Sequence, residues 1–215
     1  MSPLAMSASA PSDVIAIDIL VEPGKDMAAK VRAENQRLRQ AYPTGFALDD
    51  THVPHLSVVQ CYVKRADLAK IYAAIAPLLA KPELRPTKLL AKGYSGGGRK
   101  PPATVVLLVQ RAVQLELLQA QLLDALKTYI VPAGTEDAFV RDADGIDAST
   151  IEYVRTFPQQ RAGRSFDPHI TIGQTTPAVA RQLENEPFTP YSFDIAGFAV
   201  YQLGNNGTAR RKLWP

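Results

Sequence analysis

Apolar runs of two different periods alternate along the chain. Val14 to Val21 is almost entirely aliphatic or β-branched, and Asp13 and Pro23-Gly24 bound it. Such a run predicts a buried strand. From Lys25 to Tyr42, Met27, Val31, Leu38 and Ala41 recur at helical spacing among charged residues, which gives a helix with one apolar stripe. Val53 to Val63 predicts a second strand. Asp67 is placed to cap a helix whose apolar face is Leu68, Ile71, Tyr72, Ile75 and Leu79. Leu89 to Tyr94 and Thr104 to Val109 predict two strands, joined by a loop from Ser95 to Pro102 that Gly96-Gly97-Gly98 should make mobile. A helix follows with Leu115, Leu118, Leu122, Leu126 and Tyr129 on one face. Ser149 and Glu152 have capping-box spacing, opening a short helix through Tyr153 and Val154. Pro168 to Ile172 predicts a strand, Thr176-Pro177 a helix start, Tyr191 to Leu203 a long strand and Asn205-Asn206-Gly207 a turn. Val131 to Asp147, rich in Gly, Asp and Ala, fits no element. Strands and helices interleave, so the pattern predicts sheet packed with helices, α/β or α+β.

Composition changes this picture little. The 215 residues are 46% hydrophobic and 21% charged, enough for one domain with a sizeable core. A net charge of +3 would not repel an anionic ligand, and it is too small to indicate nucleic-acid binding by itself. The single cysteine, Cys61, excludes an intramolecular disulfide and a four-cysteine zinc site. No apolar run approaches the ~18 residues of a membrane span. Residues 1–12 are small and polar and read as a flexible tail, leaving 13–215 as one domain. With no secretion signal in the chain as written, the expected location is the cytoplasm. Secretion or the periplasm stays open if a leader has been removed.

The chemistry lies in an internal repeat. Histidine occurs three times, at positions 52, 55 and 169. Around the second the chain reads Pro54-His55-Leu56-Ser57-Val58-Val59-Gln60, and around the third Pro168-His169-Ile170-Thr171-Ile172-Gly173-Gln174. Proline, histidine and glutamine coincide, and three of the four differences are conservative. A match this close, 114 positions apart, indicates two copies of one structural unit. Alternate side chains on a strand share a face. His55 is therefore paired with Ser57 and His169 with Thr171, while Leu56, Val58, Ile170 and Ile172 face the other way. If the copies pack face to face, two imidazoles and two hydroxyls meet in one cleft. A neutral imidazole can accept a proton and an imidazolium can donate one, near neutral pH. The hydroxyls can donate to phosphate oxygens, and a base and an acid on opposite sides suit in-line displacement at phosphorus.

Two H-x-[S/T] motifs on strands, more than a hundred residues apart, resemble the signature of the two-histidine phosphoesterases. That superfamily includes the 2′–5′ RNA ligase-like proteins and the cyclic nucleotide phosphodiesterases. The likeness runs from Val14 onward and includes Ala199-Val200-Tyr201-Gln202-Leu203-Gly204, which is similar to a closing strand of the bacterial members. The resemblance implies an α+β fold of two pseudo-symmetric lobes, each an antiparallel sheet with outer helices, around a central cleft. It implies metal-independent opening of a 2′,3′-cyclic phosphate, or cleavage or formation of a 2′–5′ linkage, in RNA ends or small nucleotides. Carried over, His55 and His169 are the acid/base pair and Ser57 and Thr171 the phosphate contacts. No cofactor is implied.

Further residues are weaker candidates. Arg164, the arginine nearest His169, is expected to contact substrate phosphate. Tyr201 is a candidate for stacking on a base, although a core aromatic fits the same pattern. The basic stretch Arg210-Arg211-Lys212 reads as a solvated end. Pro54 forbids a regular helix between His52 and His55, so these two do not form a helical zinc pair. Two other functions compete with the phosphodiesterase: an RNA-end or nucleotide-binding module with little catalysis, and a zinc hydrolase using all three histidines. The expected partner is an RNA end or a small nucleotide, without a membrane, and the expected state is a monomer.

Overall fold

A computed structural model describes residues 13–141 and 145–215. The tail expected at 1–12 lies outside them. Eight strands are described, β1 (Val14–Pro23), β2 (Leu56–Lys64), β3 (Lys88–Gly97), β4 (Ala103–Val109), β5 (Ile130–Val131), β6 (His169–Thr175), β7 (Tyr191–Leu203) and β8 (Ala209–Trp214). Five α-helices are described, α1 (Lys25–Ala41), α2 (Leu68–Ala80), α3 (Val113–Leu126), α4 (Ala148–Gln160) and α5 (Pro177–Asn185).

All strand pairings are antiparallel, and they run in the order β1-β2-β6-β4-β3-β7-β8, with β1 also paired to β7. The α+β class and the two related halves therefore stand as the sequence implied. The halves share their sheet. In each, a central strand pairs with its own motif strand (β1 with β2, β4 with β6). Each central strand also takes the last strand of the other half, β7 for β1 and β3 for β4. The long strand β7 serves both, pairing through Tyr191–Asp194 with β3 and through Ile195–Gln202 with β1. The motif strands meet at one pair, Leu56 opposite Ile170, and the pseudo-twofold axis passes there.

Alternation along β1 divides the core. Ile15, Ile17, Ile19 and Val21 join the main cluster with Met27, Val31 and Leu38 of α1, Ile71 and Ile75 of α2, Leu115, Leu118, Leu122 and Leu126 of α3 and Leu183 of α5. Ala16 and Leu20 face the opposite side. Helix α4 is not an outer helix: its Val154 packs with Ala16 and Tyr62 on that second face. Four of the five helices thus cover one face, and α4 partly closes the other, where the site forms.

Several local expectations are corrected. Asp67 is the residue before α2, but its side chain makes no capping bond and pairs instead with Lys70 at 2.9 Å, because a turn of 3-10 helix (Arg65–Asp67) precedes α2. Ser149 and Glu152 form no capping box, since α4 begins at Ala148 and Glu152 is taken by Arg155. Gly96 and Gly97 extend β3 into the expected loop, and Gly96 has Ala180 against it, so a Cβ there would lie 2.8 Å from that side chain. The Arg210–Lys212 stretch is edge strand β8, with Lys212 on Glu22 at 2.9 Å. A charged edge is the usual guard against further strand pairing. Within 131–147, a short strand and a 3-10 turn (Glu136–Ala138) are seen, and 142–144 lie outside the described residues.

Candidate functional site

Each motif strand carries a bulge at the same place. On β2 the register passes from Ile19 opposite Val59 to Leu20 opposite Ser57, skipping Val58. On β6 it passes from Val105 opposite Gly173 to Val106 opposite Thr171, skipping Ile172. An extra residue flips the alternation that follows. Gln60 and Gln174, three residues beyond each hydroxyl, are thereby returned to the site face.

A bulge takes carbonyls out of the ladder, and a buried carbonyl needs a donor. Two buried amides supply it, crosswise. Asn35 of α1 donates to Ile172 O at 2.8 Å and to Phe46 O at 3.0 Å, while its Oδ1 accepts from Leu48 N at 2.9 Å. Gln119 of α3 donates to Val58 O and to Arg161 O, both at 2.9 Å, and its Oε1 accepts from Gly163 N at 3.2 Å. Each amide thus joins the opposite half's bulge to a loop leading into a motif. Gly173 is glycine because a Cβ there would stand 2.6 Å from Asn35 Nδ2.

The histidines flank the point where β2 and β6 meet. Continuing the Leu56–Ile170 register by one residue each way puts His55 opposite Thr171 and Ser57 opposite His169. His55 Nδ1 lies 2.8 Å from Val53 O, and His169 Nδ1 lies 2.7 Å from Asp167 O, in each case the carbonyl two residues back. A carbonyl only accepts, so each Nδ1 carries a hydrogen and each neutral ring keeps its lone pair on Nε2. Burial lowers the His55 pKa from its ordinary value, as does the nearby His169 ring, against the backbone bonds to Val53 and Gly207, which raise it.

His55, Ser57, His169 and Thr171 line one cavity of about 290 Å³ with Phe46, Gln60, Thr104, Val106, Ser149, Thr150, Tyr153, Asn206 and Gly207. The rim is tied together by side chains. Thr150 Oγ1 donates to Asn205 Oδ1 at 3.0 Å, Asn206 N donates to Thr150 Oγ1 at 3.0 Å, and Gln174 Nε2 donates to Asn206 Oδ1 at 3.3 Å. Asn206 is in the left-handed region (φ 57), the conformation its turn requires. A small annex reaches Arg161, whose guanidinium sits 5.3 Å from the Tyr153 ring.

Two expected contacts fall elsewhere. Arg164 is exposed and outside the cavity lining, and its carbonyl accepts from Arg111 at 2.8 Å. Tyr201 is buried beside Leu20 and Ala199, and its hydroxyl donates to Glu22 at 2.7 Å. His52 lies against Asp49 and Phe46. Among the described residues, no group of three or more His, Cys, Asp or Glu is placed to hold a metal ion.

Sequence reasoning missed Asp18, Tyr153 and the two cross-strapping amides. Asp18 is fully buried on the site face of β1, opposite Gln60 and Tyr201. Its Oδ2 is 2.5 Å from Ser57 Oγ, 3.1 Å from Gln60 Nε2 and 3.6 Å from His55 Nε2. The available signal was one acid inside the otherwise apolar run Val14 to Val21. A second hollow of about 310 Å³, between α1 and β7, is lined by Lys25, Lys30 and Tyr191 and contains none of the motif residues.

Fold and cavity define a duplicated α+β protein with one two-histidine site. The chain belongs to the 2′-5′ RNA ligase superfamily, whose family model matches residues 27–207. Membership supports a phosphoesterase-type function. Among solved structures, TT0787 of Thermus thermophilus is 14% identical, with a TM-score of 0.55 over 93% of this chain and 95% of that one. At that identity the likeness is one of fold. E. coli LigT complexed with 3′-AMP is 15% identical, with a TM-score of 0.47 over 94% of this chain and 96% of that one. LigT complexed with ATP is 15% identical, with a TM-score of 0.45 over 93% and 95%. No curated protein matches the sequence significantly. Among the described residues, no helix is long and apolar enough to cross a membrane.

Proposed function

We propose that the protein is a metal-independent phosphodiesterase that acts on 2′,3′-cyclic phosphates or 2′–5′ linkages of RNA ends or nucleotides. The observation that carries this reading is the matched tautomer. Both imidazoles hold Nδ1 against the carbonyl two residues back, which leaves two Nε2 atoms for one cavity beside Ser57 and Thr171.

Hydrolysis of a 2′,3′-cyclic phosphate needs one proton taken from water and one given to the leaving oxygen. His55, whose pKa burial depresses, stays neutral at pH 7 and takes the proton from water on Nε2 as the new P–O bond forms. His169, protonated on Nε2, gives its proton to the ribose oxygen as the ester P–O bond breaks. Water and the leaving oxygen then lie on opposite sides of phosphorus, as in-line displacement requires. Ser57 and Thr171 donate to the non-bridging oxygens. Phe46 and Tyr153 line the cavity and supply aromatic rings for contact with a nucleobase.

Turnover of nucleoside 2′,3′-cyclic phosphates in EDTA tests the reading. Release of a 2′- or 3′-phosphate at a rate chelation leaves unchanged is the expected result. Binding without turnover would overturn the enzyme reading in favour of a nucleotide-binding module.

A further inference from the structure

The two halves differ at one register position behind the hydroxyls. Asp18 stands opposite Gln60 in the first half, and Thr104 stands opposite Gln174 in the second. One hydroxyl, Ser57, therefore has a carboxyl behind it. Ser57 Oγ is 2.5 Å from Asp18 Oδ2, and Gln60 Nε2 donates to Ser57 Oγ at 2.9 Å. The proton between Ser57 and Asp18 decides what the serine shows to the cavity. With Asp18 ionised, Ser57 must donate to the carboxylate and presents a lone pair to a phosphate oxygen. With Asp18 neutral, the acid donates to Ser57. Both lone pairs of Oγ are then occupied, by Asp18 and Gln60, and its own hydrogen is directed into the cavity.

We propose that Asp18 works as a neutral acid, a positioning residue that turns the Ser57 hydroxyl towards a phosphodiester anion and turns it away on ionising. This rests on the reading of Ser57 as a phosphate contact. The surroundings favour the neutral form. Asp18 is fully buried, and its Oδ1 has no hydrogen-bond partner among the described residues, whereas a carboxylate calls for donors on both oxygens. Among the described residues no lysine or arginine lies at ion-pairing distance, and the nearest basic group is the neutral His55 ring at 3.6 Å. The other titratable groups around it are uncharged. Cys61 on β2 is pushed up to about 12 by burial and by Asp18 itself, burial raises Tyr153 on α4, and Tyr201 on β7 is engaged by Glu22. Glu22 carries its charge further along β1, paired with Lys212. Burial pushes the Asp18 carboxyl up to about 8, against the bonds from Ser57 and Gln60, which lower it. The serine thus changes from donor to acceptor across pH 7 to 9.

The test is binding of adenosine 2′,3′-cyclic phosphate, whose single charge is constant over this range, by calorimetry from pH 6 to 9. It is run in a His169→Ala background, which suppresses turnover. Affinity should fall about tenfold between pH 7 and pH 9, the change expected for one proton with a midpoint near 8. In the Asp18→Asn protein the amide donates permanently to Ser57, so affinity should match the low-pH value and stay flat. A Ser57→Ala protein should bind more weakly and also without pH dependence. A pH-independent affinity in the parent, or the same slope in Asp18→Asn, overturns the proposal. A slope that survives in Ser57→Ala also overturns it, because simple repulsion by the Asp18 charge would give that result. Absence of binding at every pH in all three proteins would instead overturn the phosphodiester site on which the proposal stands.

Discussion

At the scale of single residues, the site combines groups whose protons are fixed by backbone geometry with one group whose proton is free to leave. Val53 O and Asp167 O fix the histidine tautomers, and burial depresses the pKa of His55. A base works only while unprotonated, so with His55 as the proposed base activity should fall on acidification as it takes up a proton. The acid limb of kcat/KM is expected to have its midpoint below 6.5, the ordinary imidazole value, and a pH–rate profile measures it. A midpoint well above 6.5 would assign the base elsewhere. Replacing Tyr153 with alanine should raise KM roughly tenfold with little change in kcat, the scale of one lost base-stacking contact. The histidines and hydroxyls were legible in the sequence because the heptad is repeated. Asp18 was not, since a buried acid has no local pattern and its partners are distant in the chain. Arg164 was drawn from its proximity to His169 in sequence, and Tyr201 from its being an aromatic on the last strand region. Neither says which way a side chain points, and both lie off the cavity.

At the scale of elements, the bulges and the amides that strap them set the geometry of the site. Asn35→Ala would leave Ile172 O buried without its donor, and Gln119→Ala would do the same to Val58 O. Each should cost about 1–3 kcal/mol, the penalty for an unsatisfied buried polar group, readable by urea unfolding. Losses below ~0.5 kcal/mol would mean that the straps carry no weight. Strand and helix spans were readable from periodicity, as β7 and α1 illustrate, and Thr176 caps α5 as its sequence indicated, accepting from Val179 N at 3.4 Å. The bulges were not readable. A strict period of two puts Gln60 and Gln174 on the buried face, and one extra residue reverses that. The side of the sheet taken by α4 was also beyond local pattern, because several apolar surfaces compete for it.

At the scale of the whole molecule, the duplication makes one site from two halves, and the exchange of β3 and β7 makes the halves inseparable. The buried acid at the join gives a pH signature of stability. In the fold Asp18 titrates near 8 and in the unfolded chain near 3.8, so the folded state holds the extra proton between those values. The sign follows from linkage: stability attributable to this group is fully present below pH 4 and is lost as pH rises towards 8. Thermal melts of Asp18→Asn and parent proteins should therefore diverge from pH 4 to 8, with the variant gaining relative to the parent. Parallel curves would contradict a neutral, buried Asp18.

The most direct test of the central claim compares the parent with His55→Ala, His169→Ala and the double variant on nucleoside 2′,3′-cyclic phosphates in EDTA. If the two imidazoles act as one base and one acid in a single displacement, each single variant should lose about 10²–10⁴-fold in kcat. The double variant should lose little more than either, as expected of residues that work as a unit. Near-parent turnover in either single variant would contradict the account.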